Sequence, residues 1–254
     1  MKIFAILIFS LFLSSCLSLK KLESAKSEAI SYLDNSAFQM DFILMYSYLQ
    51  QSNKLPDLKV QSALNSEIEY YKNSKDPGDS IQYQTIKRFW RIIDRDFKIP
   101  QELFENVKGI DLITVKGLYC DQIKIDTNIF FQQLRDEADA LNYNTSHALL
   151  SLIFLKKNNC YTDSELNALN QYLDIKSLEL LKKIDFEWND LNIETLAFRS
   201  EADFDYQKSW IKQILKAQQE DGGWKGRSSN ETSNSHTTIL AIWLIQNVIN
   251  DLKD

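Results

Sequence analysis

Apolar positions recur at helical spacing along most of the chain and predict an all-α protein. Between residues 206 and 218 they form one stripe, while three lysines fall on the other faces. This is the pattern of an amphipathic helix. Asp205 is placed to cap its N-terminus, and Gly222-Gly223 supply the positive φ angles that end a helix at low cost. The stripe consists of Tyr206, Trp210, Ile211, Ile214, Leu215 and Gln218.

Three segments are apolar on nearly every side, which predicts helices at the centre of the fold. They span residues 38–49, 147–155 and 236–245. Ser146-His147 begins the second and Ser235-His236 begins the third, and each serine is placed to serve as the N-cap. At an offset of 89 residues these two segments share Ser, His and three later apolar positions, which indicates a degenerate internal repeat.

Residues 162–198 predict two or three further helices, with Asp163 and Asp174 as candidate caps. The candidate helices span residues 164–172, 175–184 and 189–198. Residues 110–115 form a short apolar segment that fits either a helix or a brief strand.

The segment from Gln218 to Trp224 resembles a motif of the terpenoid cyclase and protein prenyltransferase family. The family pattern Gln-x-x-Asp-Gly-x-Trp matches Gln218, Asp221, Gly222 and Trp224, with Gly223 at the variable position. The resemblance covers about residues 205–250 and implies helical hairpins arranged in an α/α toroid, with the Gln and Trp side chains stacked at the end of the outer helix. The expected fold is therefore all-α, with helical hairpin repeats that form a complete or partial α/α toroid. The alternative is an irregular helical bundle in which only the last hairpin is toroid-like.

The N-terminus has the features of a bacterial lipoprotein signal peptide. Lys2 is followed by an apolar run to Leu13, and the Leu-Ser-Ser-Cys run that ends at Cys16 resembles a lipobox. Residues 1–15 are thus the expected signal peptide, and Cys16 is the expected lipidation site. Residues 16–35 form a lipidated tether and first helix, and residues 36–254 a single helical domain. The expected location is the bacterial cell envelope, on the periplasmic side of the outer membrane in preference to the inner membrane.

Composition and charge narrow the class of partner. The chain has only 6 Gly and 3 Pro, which fits long helices with few tight turns. Its net charge of −6 becomes −7 once Lys2 is removed with the signal peptide, which argues against a nucleic-acid partner. The membrane, contacted through lipid on Cys16, is the first expected partner.

Cys120 and Cys160 are the two remaining cysteines. In an oxidising compartment they form a candidate disulfide across the middle of the domain, and the alternative is two buried thiols. Neither lies in a Cys-x-x-Cys spacing, so a zinc or redox motif is not indicated. No cofactor is predicted.

Both histidines begin apolar helices, so in a toroid they would meet at one rim of a central cavity. His147, His236 and Tyr143 are therefore cavity-lining candidates, and the apolar pattern adds Asp41 by alignment with His147 at an offset of 106 residues. Two imidazoles and a carboxylate could bind a divalent metal or exchange protons. The alternative, that each histidine makes one structural hydrogen bond, is favoured over a metal site, and no metal is predicted.

Two classes of function remain open. The first is a non-catalytic lipoprotein whose cavity rim engages a glycan, a lipid or a protein, and the absence of a known catalytic motif favours it. The second is a degenerate α/α-toroid enzyme, either a polysaccharide lyase or hydrolase or an isoprenoid-acting enzyme, that uses His147 and His236. A lyase would also need a neutralising group, for which Tyr143 and Arg199 are candidates if all four converge.

Overall fold

Helices make up most of the computed structural model, which confirms the predicted all-α class. The structure describes residues 17–36, 40–52, 65–66, 69–70, 73, 80–183, 188–226 and 232–253. The predicted signal peptide and Cys16 lie outside these residues. Within the described ranges, no helix is both long enough and apolar enough to cross a membrane.

The described ranges contain eleven α-helices. In chain order they are α1 (Leu19–Leu33), α2 (Met40–Gln51), α3 (Ser80–Arg88), α4 (Gln101–Glu105), α5 (Ile110–Leu118), α6 (Thr127–Ala138), α7 (Tyr143–Lys157), α8 (Asp163–Lys183), α9 (Asp190–Glu201), α10 (Lys208–Ala217) and α11 (Ser235–Asp251). A 3-10 turn (Trp90–Ile92) follows α3, and two short antiparallel strands, β1 (Trp224–Lys225) and β2 (Ser233–Asn234), precede α11.

Helices α7, α9 and α11 lie side by side and run in the same direction. At one end, Tyr143 and Thr237, each in the first turn of its helix, donate hydrogen bonds to Asp190, the first residue of α9. At the other end, Asn247 donates to a serine in the last turn of α9, and Lys156 donates to the carbonyl that directly follows α9. Most side chains of these helices are buried, as expected for helices near the centre of the fold.

Helix α5 extends this parallel row beyond α7. Thr114 of α5 contacts His147 of α7. Asn158, which directly follows α7, donates to the carbonyl of Leu118, the last residue of α5. Gly117 permits the close approach, because a Cβ there would lie 2.9 Å from the carbonyl oxygen of Ser151. The segment that the sequence left open between helix and strand is therefore a buried helix.

The serine caps predicted for the two histidine-bearing helices are wrong. Asn142 and Asn234 cap α7 and α11, and their side chains accept from the backbone N–H groups of Asn144 and Thr237. His147 therefore lies in the second turn of its helix, whereas His236 lies in the first turn. The two Ser-His pairs therefore lie at different distances from the starts of their helices.

The predicted break inside residues 164–184 is also wrong. Helix α8 is continuous, because no Gly or Pro interrupts it, and Asp174 lies in its middle. Thr162 is the residue at the start, since it exchanges hydrogen bonds with Glu165 three residues later. Asp205 does not cap α10 either, because that helix begins three residues later, after Gln207.

Helix α1 belongs to the packed domain. Its stripe of four buried residues, one at almost every turn, packs against α11. The Tyr32 hydroxyl also donates to the carbonyl of Ser233. Only residues 17 and 18 separate this helix from Cys16.

The turn from Gln218 to Trp224 joins α10 to α1 and α11. Gln218 donates to the backbone carbonyls of Ala25 and Gly222 at 2.9 and 2.8 Å, and Asp221 accepts from the N–H of Gly223 at 2.9 Å. Gly222 has φ +90°, and a Cβ there would lie 2.5 Å from a carbonyl oxygen of α1. Of the two predicted positive-φ glycines, only Gly222 has that conformation.

Cys120 and Cys160 form a disulfide that ties the ends of α5 and α7 together. A crosslink over 40 residues restricts the unfolded chain, so we expect the double variant Cys120→Ala/Cys160→Ala to lose about 2–4 kcal/mol of unfolding free energy. Urea unfolding followed by circular dichroism measures this loss. Equal midpoints for the oxidised protein and the variant would contradict the prediction.

Candidate functional site

A cavity of about 420 Å³ lies against the parallel helices, and residues of α2, α3, α5, α7, α9 and α11 line it. This volume falls within the range of roughly 300–1,000 Å³ that is usual for small-molecule sites. One end of the lining is polar and most of the remaining wall is apolar or aromatic. The polar end includes Tyr143, His147, Asp190, Glu194 and His236. The apolar wall includes Leu44, Phe89, Leu150, Phe154, Phe198 and Trp243.

Asp190 is the central acceptor of the polar end. Its side chain is buried at the first position of α9, where the partial positive charge of a helix N-terminus stabilises a carboxylate. Its Oδ2 accepts from the Tyr143 hydroxyl at 2.9 Å, and its Oδ1 accepts from the Thr237 hydroxyl at 2.9 Å. The same Oδ1 lies 3.3 Å from Nε2 of His236. Asp190 therefore connects the first turns of three helices.

Glu194 lies one turn further along α9 and is also buried. Its Oε1 accepts from the Ser146 hydroxyl, and its Oε2 lies 3.7 Å from Nε2 of His236. Burial alone would raise the pKa of Glu194, but its contact with His236, the nearby His147 and the Ser146 hydroxyl together hold it below its usual range. These three contacts therefore favour the ionised form of this buried carboxylate.

His147 adds a second imidazole to the same end. Its Nδ1 lies 3.2 Å from the Thr114 hydroxyl, which fixes the orientation of the ring. Two imidazoles, two carboxylates and the phenol of Tyr143 thus share one cavity. Such a group can bind a cation, recognise a polar head group or transfer protons.

A second polar network lies at the opposite end, where Tyr48 and Trp243 line the cavity. Glu201, the last residue of α9, accepts from the Tyr48 hydroxyl at 2.8 Å and from the Trp243 indole at 2.6 Å, and Lys157 pairs with it at 3.0 Å. Burial and the neighbouring Glu201 carboxylate raise the pKa of Tyr48, so this phenol stays neutral. Charged groups therefore lie at both ends, with an apolar wall between them.

Three of the predicted cavity residues come together, and one predicted partner does not. Tyr143, His147 and His236 all line the cavity. Arg199 is buried elsewhere, where its guanidinium binds Asp174 and a serine of α8. Asp41 lies in α2, but its side chain is outside the part of the chain that the structure describes.

Sequence reasoning missed Asp190 and Glu194, the two carboxylates of the polar end. The sequence does contain a signal for this pair of acids. They are four residues apart in a predicted helix, with the apolar residues Ile193, Leu196 and Ala197 at neighbouring positions. Acids at that spacing share one helix face. Two acids on one face of a mostly buried helix need partners that are also buried.

Searches against known protein families, curated proteins and solved structures find no match for this chain.

Proposed function

We propose that this protein is a lipid-anchored, extracytoplasmic binding protein that takes one small amphipathic molecule into its cavity. The single observation that carries the proposal is the division of a 420 Å³ cavity into an apolar wall and a polar end. Apolar walls with a few placed polar groups are typical of sites for small organic ligands. The polar head would contact Asp190, Glu194 and His236, and the apolar body would contact Phe154, Phe198 and Trp243 along with their neighbours.

The lining supports an amphiphile over a glycan. A sugar carries hydroxyls around its whole ring, and burying them against aliphatic side chains such as Leu44 and Leu150 would leave them without hydrogen-bond partners. An elongated or ring-shaped hydrocarbon body has no hydrogen bonds to lose there, and burying its apolar surface favours binding. Of the ligand classes that the sequence left open, we therefore propose a lipid-like molecule.

The packing supports a complete or partial α/α toroid as the scaffold. Helices α6, α8 and α10, each buried on one side, alternate along the chain with the mostly buried α7, α9 and α11. Two of the bonds at the polar end, Tyr143 to Asp190 and Thr237 to Asp190, join residues that are 47 positions apart. A repeat of about 47 residues would place one helical hairpin in each unit.

The position of α1 supports an anchored protein whose cavity stays near a membrane. If Cys16 carries lipid, the two residues between Cys16 and α1 leave little length for a flexible tether. The domain would then remain close to a bilayer, which is a source of amphipathic ligands. The outer membrane, on its periplasmic side, stays the proposed location.

Filling the apolar wall tests the proposal. We expect the chain from Leu17 onward to bind the fluorescent probe N-phenyl-1-naphthylamine, and Leu150→Trp to weaken that binding at least tenfold, because the indole occupies cavity volume. Ile129→Trp is the matched control, since Ile129 is an exposed residue of α6, 59% accessible. Decanol, decylamine and decanoate as competitors then report the preferred head group.

Equal probe affinity for Leu150→Trp and the unsubstituted chain would overturn the proposal, and so would failure of all three competitors to displace the probe. Thermal unfolding of both tryptophan variants checks that a loss of binding is not a loss of folding. Should Leu150→Trp unfold early, Phe198→Trp supplies a second substitution on the same wall.

A second candidate function is favoured by the convergence of Tyr143, His147 and His236 on one cavity. In that case the protein is an enzyme that acts on a bound isoprenoid-like molecule, with His147 as the proton-transferring group. The test incubates the protein with geranylgeranyl diphosphate and, as a lyase substrate, polyuronate, followed by chromatography. Turnover that His147→Ala abolishes would establish the enzyme; no turnover of either substrate leaves the binding protein as the proposal.

A further inference from the structure

We propose that Asp190, Glu194 and His236 form a binding site for a divalent metal ion of the zinc and manganese class. The inference deepens the proposed function, on which it rests for the cavity, because the ion would hold the polar head of the bound molecule. Nothing in the sequence alone assigned these three residues to one site.

The spacing of the three donor atoms fits a shared ion. Nε2 of His236 lies 3.3 Å from Oδ1 of Asp190 and 3.7 Å from Oε2 of Glu194, and the three side chains offer donors that all lie within 4.8 Å of one another. Ligands about 2.1 Å from a tetrahedral zinc ion lie about 3.4 Å from each other. The two distances from the imidazole to the carboxylates, 3.3 and 3.7 Å, are close to that value.

Outer partners orient both carboxylates. The Tyr143 hydroxyl holds the far oxygen of Asp190, and the Ser146 hydroxyl holds the far oxygen of Glu194. The near oxygen of each carboxylate is thereby turned toward the His236 imidazole. Hydrogen bonds of this kind from a second layer of residues are typical of metal sites, where they fix ligand orientation.

Burial and charge provide a separate argument. Asp190 and Glu194 have side chains that are only 5% exposed, and each faces the cavity. Two carboxylates that are almost removed from solvent meet at one imidazole, and buried charged groups in proteins are paired or coordinate metals. The cavity also leaves room for a fourth ligand beside the three side chains, as in sites that keep one position open for water or a ligand.

The chemistry of the donors selects the ion. One imidazole nitrogen with two carboxylate oxygens suits Zn²⁺, Mn²⁺ or Co²⁺, whereas Mg²⁺ and Ca²⁺ prefer oxygen alone. An ion at this position would attract a head group with a lone pair, such as a hydroxyl, a carboxylate or a phosphate. It would therefore set which amphiphile the cavity takes.

The test uses the full-length protein in a non-ionic detergent, freed of metal by a chelator, and titrates it calorimetrically with ZnCl2, MnCl2 and CoCl2. We expect at least one of these ions to bind with one-to-one stoichiometry, and Glu194→Gln and His236→Gln each to weaken it at least tenfold. Glu201→Gln is the matched control, because it removes an equally buried carboxylate of the same helix at the opposite end of the cavity. Its metal affinity should equal that of the unsubstituted protein.

The proposal fails if none of the three ions binds, or if both site variants bind as tightly as the control, which would indicate an adventitious ion only. Thermal unfolding without metal confirms that the variants fold. Probe binding to the chelated protein separates the two proposals. If the probe binds and the competitors displace it but no metal ion binds, this inference alone is refuted. If a metal ion binds but no competitor displaces the probe, the proposed function alone is refuted.

Discussion

Trp224→Ala is expected to lower the free energy of unfolding by about 3–5 kcal/mol, the range for deleting a fully buried large aromatic side chain. Trp224 has no accessible surface. Its indole donates to the carbonyl of Ile214 in the last turns of α10 at 2.8 Å, and its backbone N–H donates to the Thr238 hydroxyl of α11 at 3.0 Å. The alanine variant thus leaves a cavity where two helices meet and an unpaired carbonyl, and urea unfolding at neutral pH measures the loss.

Trp188→Ala is the matched control for this substitution. Trp188 also uses its indole N–H, which donates to Gln213 at 2.9 Å, but its side chain is only partly buried. The control should lose clearly less stability than Trp224→Ala. Trp224→Phe should fall between them, because the phenyl ring keeps most of the packing and drops only the bond to Ile214. A Trp224→Ala variant as stable as Trp188→Ala would show that the turn does not hold the two helices together.

The turn illustrates what the sequence could predict. Its resemblance to a family motif implies structural roles for Gln218, Asp221, Gly222 and Trp224, and each has a defined local role in the structure. The sequence did not predict what these residues contact, because Ala25 and Glu28 lie almost 200 positions away on α1. Local chemistry marks a turn, whereas the helix that it contacts depends on how the whole chain packs.

The candidate site shows the same limit in a different way. The identical Ser-His pairs indicate an offset of 89 residues, yet two bonds of the polar end join positions that are 47 apart. The asparagine caps of α7 and α11 lie at different distances from the two histidines. Identical residues in the two segments therefore do not occupy equivalent positions in the two helices. The sequence predicts a helix over residues 189–198 but no functional residue in it, although this helix, α9, supplies both carboxylates.

Helix direction explains why the polar end accommodates so much negative charge. Helices α7, α9 and α11 all begin at this end, and the N-terminus of each carries a partial positive charge. Lys156 and Lys157 lie where α7 ends, at the opposite side, which suits the partial negative charge of a helix C-terminus. Parallel packing therefore favours carboxylates at the polar end, where three helices begin.

Asp190→Leu is expected to lower the free energy of unfolding by about 3–5 kcal/mol, the usual cost of removing one partner from a buried ionic network. The substitution leaves the hydroxyls of Tyr143 and Thr237 and the imidazole of His236 without their shared acceptor. Because Thr237 is fully buried, water cannot replace the lost bond there. Probe binding should fall with stability, since the first turns of three cavity helices lose their common contact.

Asp163→Leu is the matched control, because Asp163 is also an acid at the first position of a helix but is exposed to solvent. It loses only a favourable interaction with the helix N-terminus and should cost less than about 1 kcal/mol. Asp190→Asn separates the role of Asp190 as a hydrogen-bond acceptor from its role as a metal ligand. The amide oxygen can still accept from one hydroxyl, so this variant should lose about half as much unfolding free energy as Asp190→Leu. It carries no negative charge, so it should not restore metal binding. Equal losses for Asp190→Leu and Asp163→Leu would mean that helix capping, and not the shared buried acceptor, accounts for this residue.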